Sequence, residues 1–242
     1  MKTTRRGYLP EYEKYFNKEN IELIKDAMVE VNFLENRGYK VKAATTFVQQ
    51  HYAFTEEQRL ILARCASSDK AIKERKAKAV KKSELKGKTV YIDGFNAIIP
   101  MESLVSDSPV FKCMDGAVRD LANLRGSYKI IDKTEPAINL LLKQLDKRKV
   151  KKAVIYLDKP ISNSGRLKML ILEVAKNYKV EVEVELLNAV DKELYYKENV
   201  ISGDCVVIDY STSWVPLYGW IIEDYMKDHN VWLIDFSKFQ TK

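Results

Sequence analysis

Lys88-Thr-Val-Tyr-Ile-Asp-Gly-Phe-Asn96 is the stretch whose reading decides the fold. Residues 89–92 are β-branched or aromatic and nearly all apolar, which suits a strand covered on both faces rather than one with a wet face. Asp93 then ends the run abruptly. In an open parallel α/β sheet, ligands bind in the crevice at the carboxyl ends of the strands. A carboxylate there, with Gly94 for a tight turn and Asn96 to begin a helix, is well placed for chemistry. Asp also closes turns and caps helices, so this stretch alone leaves both readings open.

Outward from this strand, residues 88–242 alternate strand-like and helix-like segments, as an α/β domain does. A helix interrupted by Pro100 is expected over 97–104, and residues 115–121, carrying Asp115, Arg119 and Asp120, read as the start of another. Residues 135–145 form a clear amphipathic helix. Ala153-Val-Ile-Tyr-Leu157 is a second buried strand, and it too ends in an acid, Asp158. Ser162, Asn163, Ser164, Gly165 and Arg166 follow, ahead of a helix over 167–178; their hydroxyls, backbone N–H groups and guanidinium suit a phosphate, while Ser164 equally suits an N-cap. Neither a Walker loop nor Gly-x-Gly-x-x-Gly occurs. Alternating Val and Glu over 180–187 imply an edge strand. Asp191 opens a short helix, and Val200-Ile-Ser-Gly-Asp204 runs a third apolar strand into an acid. A helix over 214–226 and a last strand over 231–234 complete the pattern. Tyr195, Tyr196, Trp214, Tyr218 and Trp220 read as core or half-buried aromatics, with base stacking as the alternative.

The front of the chain is different in kind. Residues 20–38 have apolar positions at helical spacing, and a second helix over 41–51 is expected to turn Val41, Ala44, Phe47 and Val48 inward. His51 reads as a helix-end residue. Thr55 with Gln58 makes a capping box for a third helix. Residues 69–88 are rich in Lys and poor in large apolar side chains, which suits an exposed helix and linker. The division expected is therefore a basic helical domain over residues 1–87 and an α/β domain over 88–242.

Charge follows the same boundary. The net charge is +7, yet residues 1–88 hold 20 Lys and Arg against 12 Asp and Glu, and the remainder is nearly balanced. Such asymmetry points to a polyanion partner for the front, bound through counterion release, or to a solvated Lys-rich surface. With 242 residues the chain can bury a substantial core. No apolar run approaches a membrane span and no apolar segment follows Met1-Lys-Thr-Thr-Arg-Arg, so a cytoplasmic protein without membrane contact is expected. Cys65, Cys113 and Cys205 are far apart and in no Cys-x-x-Cys spacing, which indicates neither a disulfide framework nor a thiolate zinc site. The sequence leaves a homo-oligomer open.

The order Ile-Asp-Gly-Phe-Asn96, a strand ending in Asp158, Asp191-Lys-Glu-Leu, then Ile-Ser-Gly-Asp204 resembles the PIN-like nuclease superfamily, especially its NYN branch. The whole chain, with Asn-Arg-Gly-Tyr39, Gln58-Arg59 and Ser-Asn-Ser-Gly-Arg166, resembles the prokaryotic family called domain of unknown function four-three-four. The superfamily resemblance implies a PIN-like, three-layer parallel-sheet domain in which Asp93, Asp158, Asp191 and Asp204 gather to bind Mg²⁺ or Mn²⁺ and hydrolyse phosphodiester bonds, with RNA as partner. Asn96, Asp115, Asp120 and Asp209 would then support these ligands. One departure matters. NYN nucleases commonly place a second Asp two residues after Ser-Gly-Asp, where this chain has Val206. Two alternatives therefore stand: a degenerate PIN-like protein that binds RNA without cutting it, and a phosphatase or nucleotide-binding enzyme using residues 162–166. Phe95 stands where a haloacid-dehalogenase phosphatase needs its second Asp.

Overall fold

The structure, a computed structural model, describes residues 4–122 and 127–238. In chain order its elements are α1 (Tyr12–Tyr15), α2 (Lys18–Asn36), α3 (Val41–Tyr52), α4 (Glu56–Cys65), α5 (Asp69–Ala77), β1 (Thr89–Asp93), α6 (Gly94–Leu104), β2 (Val110–Lys112), β3 (Val118–Arg119), α7 (Thr134–Lys147), β4 (Lys152–Asp158), α8 (Ser164–Ala175), β5 (Glu181–Leu187), α9 (Val190–Leu194), β6 (Val200–Ile201), α10 (Cys205–Tyr210), α11 (Leu217–Tyr225) and β7 (Leu233–Asp235). No helix among the described residues is long and apolar enough to cross a membrane.

The fold is mixed α/β, with a helical N-terminal region. The principal sheet has the order β5-β4-β1-β6, and its neighbouring strands are parallel. Strand periodicity splits its side chains between two cores. Val90, Ile92, Ala153, Ile155 and Leu157 pack under α6, α7, α8 and α11, while Val154, Tyr156 and Val200 face Val190 and Leu194 of α9 and Val207 of α10. β5 is the edge strand its Val/Glu alternation predicts, and Lys152 bridges Glu181 and Glu183 on its wet face.

A second, smaller sheet, β3-β2-β7, differs from the sequence reading. Residues 115–121 make no helix. Gly116 takes a φ of +90°, Asp115 Oδ1 accepts from Ala117 N at 3.0 Å and Cys113 N donates to Ala117 O, so the chain turns back as a hairpin. The last strand joins this sheet beside β2 rather than the principal one. Pro100 lies inside α6 without ending it, Trp214 forms an isolated bridge with Val200 and Ala79, and α11 starts only after Pro216.

The helical region packs on the small sheet. Ile24, Met28 and Val31 of α2, Val48 of α3, and Ile61, Leu62 and Cys65 of α4 share a core with Phe111, Cys113, Met114, Ile234 and Phe236. The capping box of Thr55 and Gln58 is present. In α3, however, Ala44 and Val48 point inward while Val41 and Phe47 are exposed, Phe47 at 66%. The Lys-rich segment after α4 is docked through Arg75, which is buried and reaches Ser67, Asp115 and Asp209.

Candidate active-site cleft

Parallel pairing places the carboxyl ends of β1, β4 and β6 side by side, and the chain crosses from one side of β1 to the other to reach β6, which makes this edge a switch point. A cleft of about 680 Å³ opens there, lined by Arg64, Asn96, Arg119, Asp120, Asp158, Asp191, Gly203 and Asp204, among others.

Asp93, 1% exposed, does not itself line the cleft but is buried behind the cleft-lining Asn96. Its Oδ2 accepts from Asn96 Nδ2 at 2.7 Å and from Ser202 Oγ at 2.8 Å. Burial pushes its pKa up to about 7; those two hydrogen bonds oppose the rise, and the charges of Asp191 and Asp204 add to it. The turn holding Asp93 depends on Gly94, since a Cβ there would meet Leu157 Cδ2 at 2.5 Å and the Tyr156 carbonyl at 2.8 Å.

Ser202 ties a second acid to the first. While its hydroxyl donates to Asp93, it accepts from Asp204 N at 3.0 Å. Asp204 caps α10 through Oδ1, which accepts from Val206 N at 2.7 Å and Val207 N at 3.2 Å, and the carboxylate keeps a second oxygen. Asp158 is half-buried and Asp191 exposed; partial desolvation raises the pKa of each. At Asp158 the Val190 amide opposes that rise, whereas at Asp191 the charges of Asp204 and Asp158 increase it. Asp158, Asp191 and Asp204 thus border one opening, and the buried Asp93 feels the charges of Asp191 and Asp204 from behind it. Among the described residues, no three His, Cys, Asp or Glu side chains stand together in a way that would ligate one ion directly.

The supporting residues divide. Asn96 bonds Asp93. Asp120 is a buried wall of the cleft whose pKa rises to about 6, chiefly through burial, with Arg64 opposing and Glu102 assisting. Asp115 and Asp209 do not line the cleft; both pair with Arg75 behind it. In the segment 162–166, Ser162 and Asn163 hold the backbone of Tyr128. Ser164 bonds the Lys159 carbonyl, and Gly165 and Arg166 are exposed. The N-cap is Asn163, at a φ of +63°, rather than Ser164.

Three features escape a linear reading. Ser202 is visible only as part of Ser-Gly-Asp, yet it links two acids. Arg119, taken for part of a helix start, is buried, donates to the Gly203 carbonyl at 2.6 Å and to the Arg64 carbonyl at 2.8 Å, and pairs with Asp115. Tyr218 Oη is buried without a hydrogen bond among the described residues, and its pKa is raised by burial and then by Asp93 and Asp120. Of the aromatics, Trp214, Tyr218 and Trp220 are core, whereas Tyr196 is 76% exposed and Tyr195 stacks on the exposed Tyr210 at 4.6 Å between ring centroids.

Residues 82–220 match the family described as Domain of unknown function (DUF5616), and residues 23–78 match the one described as Protein of unknown function (DUF434). The chain is similar to Uncharacterized protein MJ0935 of Methanocaldococcus jannaschii, 43% identical over 185 residues that cover 76% of this chain and 88% of the relative. No solved structure matches. The chain belongs to the DUF5616 family, with a DUF434 region in front.

Proposed function

We propose that this family member is a PIN-like, metal-dependent nuclease that hydrolyses phosphodiester bonds in RNA. The observation that carries the reading is the convergence of Asp93, Asp158, Asp191 and Asp204, from four separate segments, at the carboxyl edge of one parallel sheet. Neighbouring carboxylates raise the pKa of Asp93 and of Asp191, so a cation among them has a use, and the Tyr218 hydroxyl is a buried polar group without a hydrogen bond among the described residues. The donor set suits a hydrated Mg²⁺ or Mn²⁺ held through one or two carboxylates and water, rather than an ion gripped by three side chains. One or two of Asp204, Asp158 and Asp191 would bind it directly at the opening, and the remainder through water. The bound ion would acidify an attacking water and offset charge on the phosphodiester.

The protein's own groups have defined tasks. Asn96 and Ser202 fix the Asp93 carboxyl. Ser202, through Asp204 N, also fixes the turn that carries Asp204. Arg119 holds the Gly203 carbonyl from behind, so the acid-bearing turn is braced on both sides. Tyr195, whose hydroxyl feels the charges of Asp191 and Asp204, joins Tyr210 and Tyr196 in offering ring faces for unpaired bases beside the acids. Single-stranded RNA is the substrate this arrangement favours, and the basic front is the surface for its backbone.

Cleavage of an end-labelled single-stranded RNA with Mg²⁺ or Mn²⁺ tests this. Asp204→Asn and Asp158→Asn should lower the rate at least about a thousandfold, roughly 4 kcal/mol of barrier, with folding intact. Mn²⁺ should raise the melting temperature of the parent and not of Asp204→Asn. A parent that metal neither stabilises nor activates, yet that binds RNA, would replace cleavage by binding alone, the reading that the Val206 departure favours.

A further inference from the structure

Cys65 ends α4 and Cys113 follows β2, 48 positions later, yet their Sγ atoms are 2.9 Å apart and both side chains are fully buried. Their backbones are also joined, because Met114 N donates to the Cys65 carbonyl at 3.1 Å. Bond formation needs the sulfurs to close by less than about 1 Å. We propose that Cys65 and Cys113 are a disulfide-forming pair, oxidised by hydrogen peroxide or a comparably small hydroperoxide, that covalently fastens the helical region to the small sheet.

The surroundings assign the two roles. Against the cost of burial, the hydrogen bond shared with Cys65 and then the Arg119 guanidinium hold the Cys113 thiol below its ordinary pKa. Cys65 is pushed well above its ordinary value, first by burial and then by Cys113. Cys113 is therefore the sulfur that attacks. Its thiolate takes one peroxide oxygen as the O–O bond breaks, and the departing hydroxide gains a proton to leave as water. Cys65 sulfur then attacks the Cys113 sulfenic acid, the S–O bond breaks, and the Cys65 proton leaves with the oxygen as a second water. Two thiols are oxidised by two electrons and one peroxide is reduced. Cys205 lines the cleft and interacts with both Arg119 and Cys113. Cys205 is half-buried and makes no sulfur–sulfur contact among the described residues, which makes it the internal control.

The pair also adjoins the residues that brace the cleft. Arg119 reaches from Cys113 to the Gly203 carbonyl beside Asp204. The inference stands on the sulfur geometry and does not depend on nuclease activity.

The test exposes the full chain to hydrogen peroxide, quenches it, denatures it in iodoacetamide and maps the peptides by mass. The expected result is loss of two of the three thiols, a peptide joining Cys65 to Cys113 that is two hydrogens lighter than the separate pieces, a labelled Cys205, and reversal by dithiothreitol. Cys205→Ser should give the same cross-link, and the oxidised protein should melt on the order of 10 °C higher. Oxidation of Cys205 with Cys65 and Cys113 still labelled, a cross-link that uses Cys205, or sulfinic acid on Cys113 without a cross-link would each overturn the assignment. A cross-link that forms without a rise in melting temperature would overturn the fastening role.

Discussion

Asp93 and Asp115 are both buried at about 1% exposure, and their environments drive them in opposite directions. Asp93, buried behind the cleft-lining Asn96, has an amide and a hydroxyl for partners and two other carboxylates for neighbours, and its pKa is pushed up to about 7. Desolvation of Asp115 would raise its pKa likewise, but Arg119 and Arg75 more than offset that, and its carboxyl stays below the ordinary range. Burial alone therefore identifies no site. The counter-charge decides: a buried acid already matched by arginines is structural, and one surrounded by further acids is poised for a cation or a proton.

The largest break in this contrast is Asp115→Ala. It leaves Arg119 buried without its carboxylate and should destabilise the protein by about 3–5 kcal/mol in urea unfolding. A loss under about 1 kcal/mol would mean that the junction is not what holds the helical region to the cleft. Asp93→Asn should act in the opposite sense. Because the folded pKa of Asp93 lies above the unfolded value near 3.9, its contribution to stability is present below about pH 4 and is lost as pH rises to about 7. The metal-free mutant should equal or fall below the parent at pH 5 and exceed it at pH 8 by roughly 1–2 kcal/mol, within the bound of about 4 that the shift allows. A mutant less stable at both pH values would make Asp93 structural too. The smallest effect is expected of Asp209→Asn. Its pair with Arg75 is bidentate, at 2.7 and 2.8 Å, but the Asp209 side chain is 44% exposed, so the cost should stay below about 1 kcal/mol. A cost matching that of Asp115→Ala would move the weight of the junction onto its outer ion pair.

Local chemistry explains what could be read in advance. A β-branched and aromatic run such as residues 89–92 forms a strand, with Val90 and Ile92 buried and Thr89 and Tyr91 half-buried, so one face is covered fully and the other in part, and a Thr55/Gln58 pair caps a helix wherever the chain then goes. The alternation in β5 forces one face outward. Residues 115–121 have a composition that suits a helix start, whereas a single left-handed Gly116 with an Asp115 turn reverses the chain. In α3, helical spacing alone nominates Val41 and Phe47 for the core, but the face packed against α2 and α4 buries Ala44, Thr45 and Val48 and leaves Val41 and Phe47 exposed.

By itself the sequence determined the four strands of the principal sheet, the basic front, and the acids that end apolar runs, because strand burial is a property of a few consecutive residues. Tertiary structure alone decided that those acids meet, that Ser202 joins two of them, that Arg119 and Arg75 neutralise Asp115 and leave Asp93 its proton, and that Cys65 stands against Cys113. Each of these depends on the distance between residues tens of positions apart, and such distances are set by how the sheet edges and the helical layer pack, which no local pattern encodes.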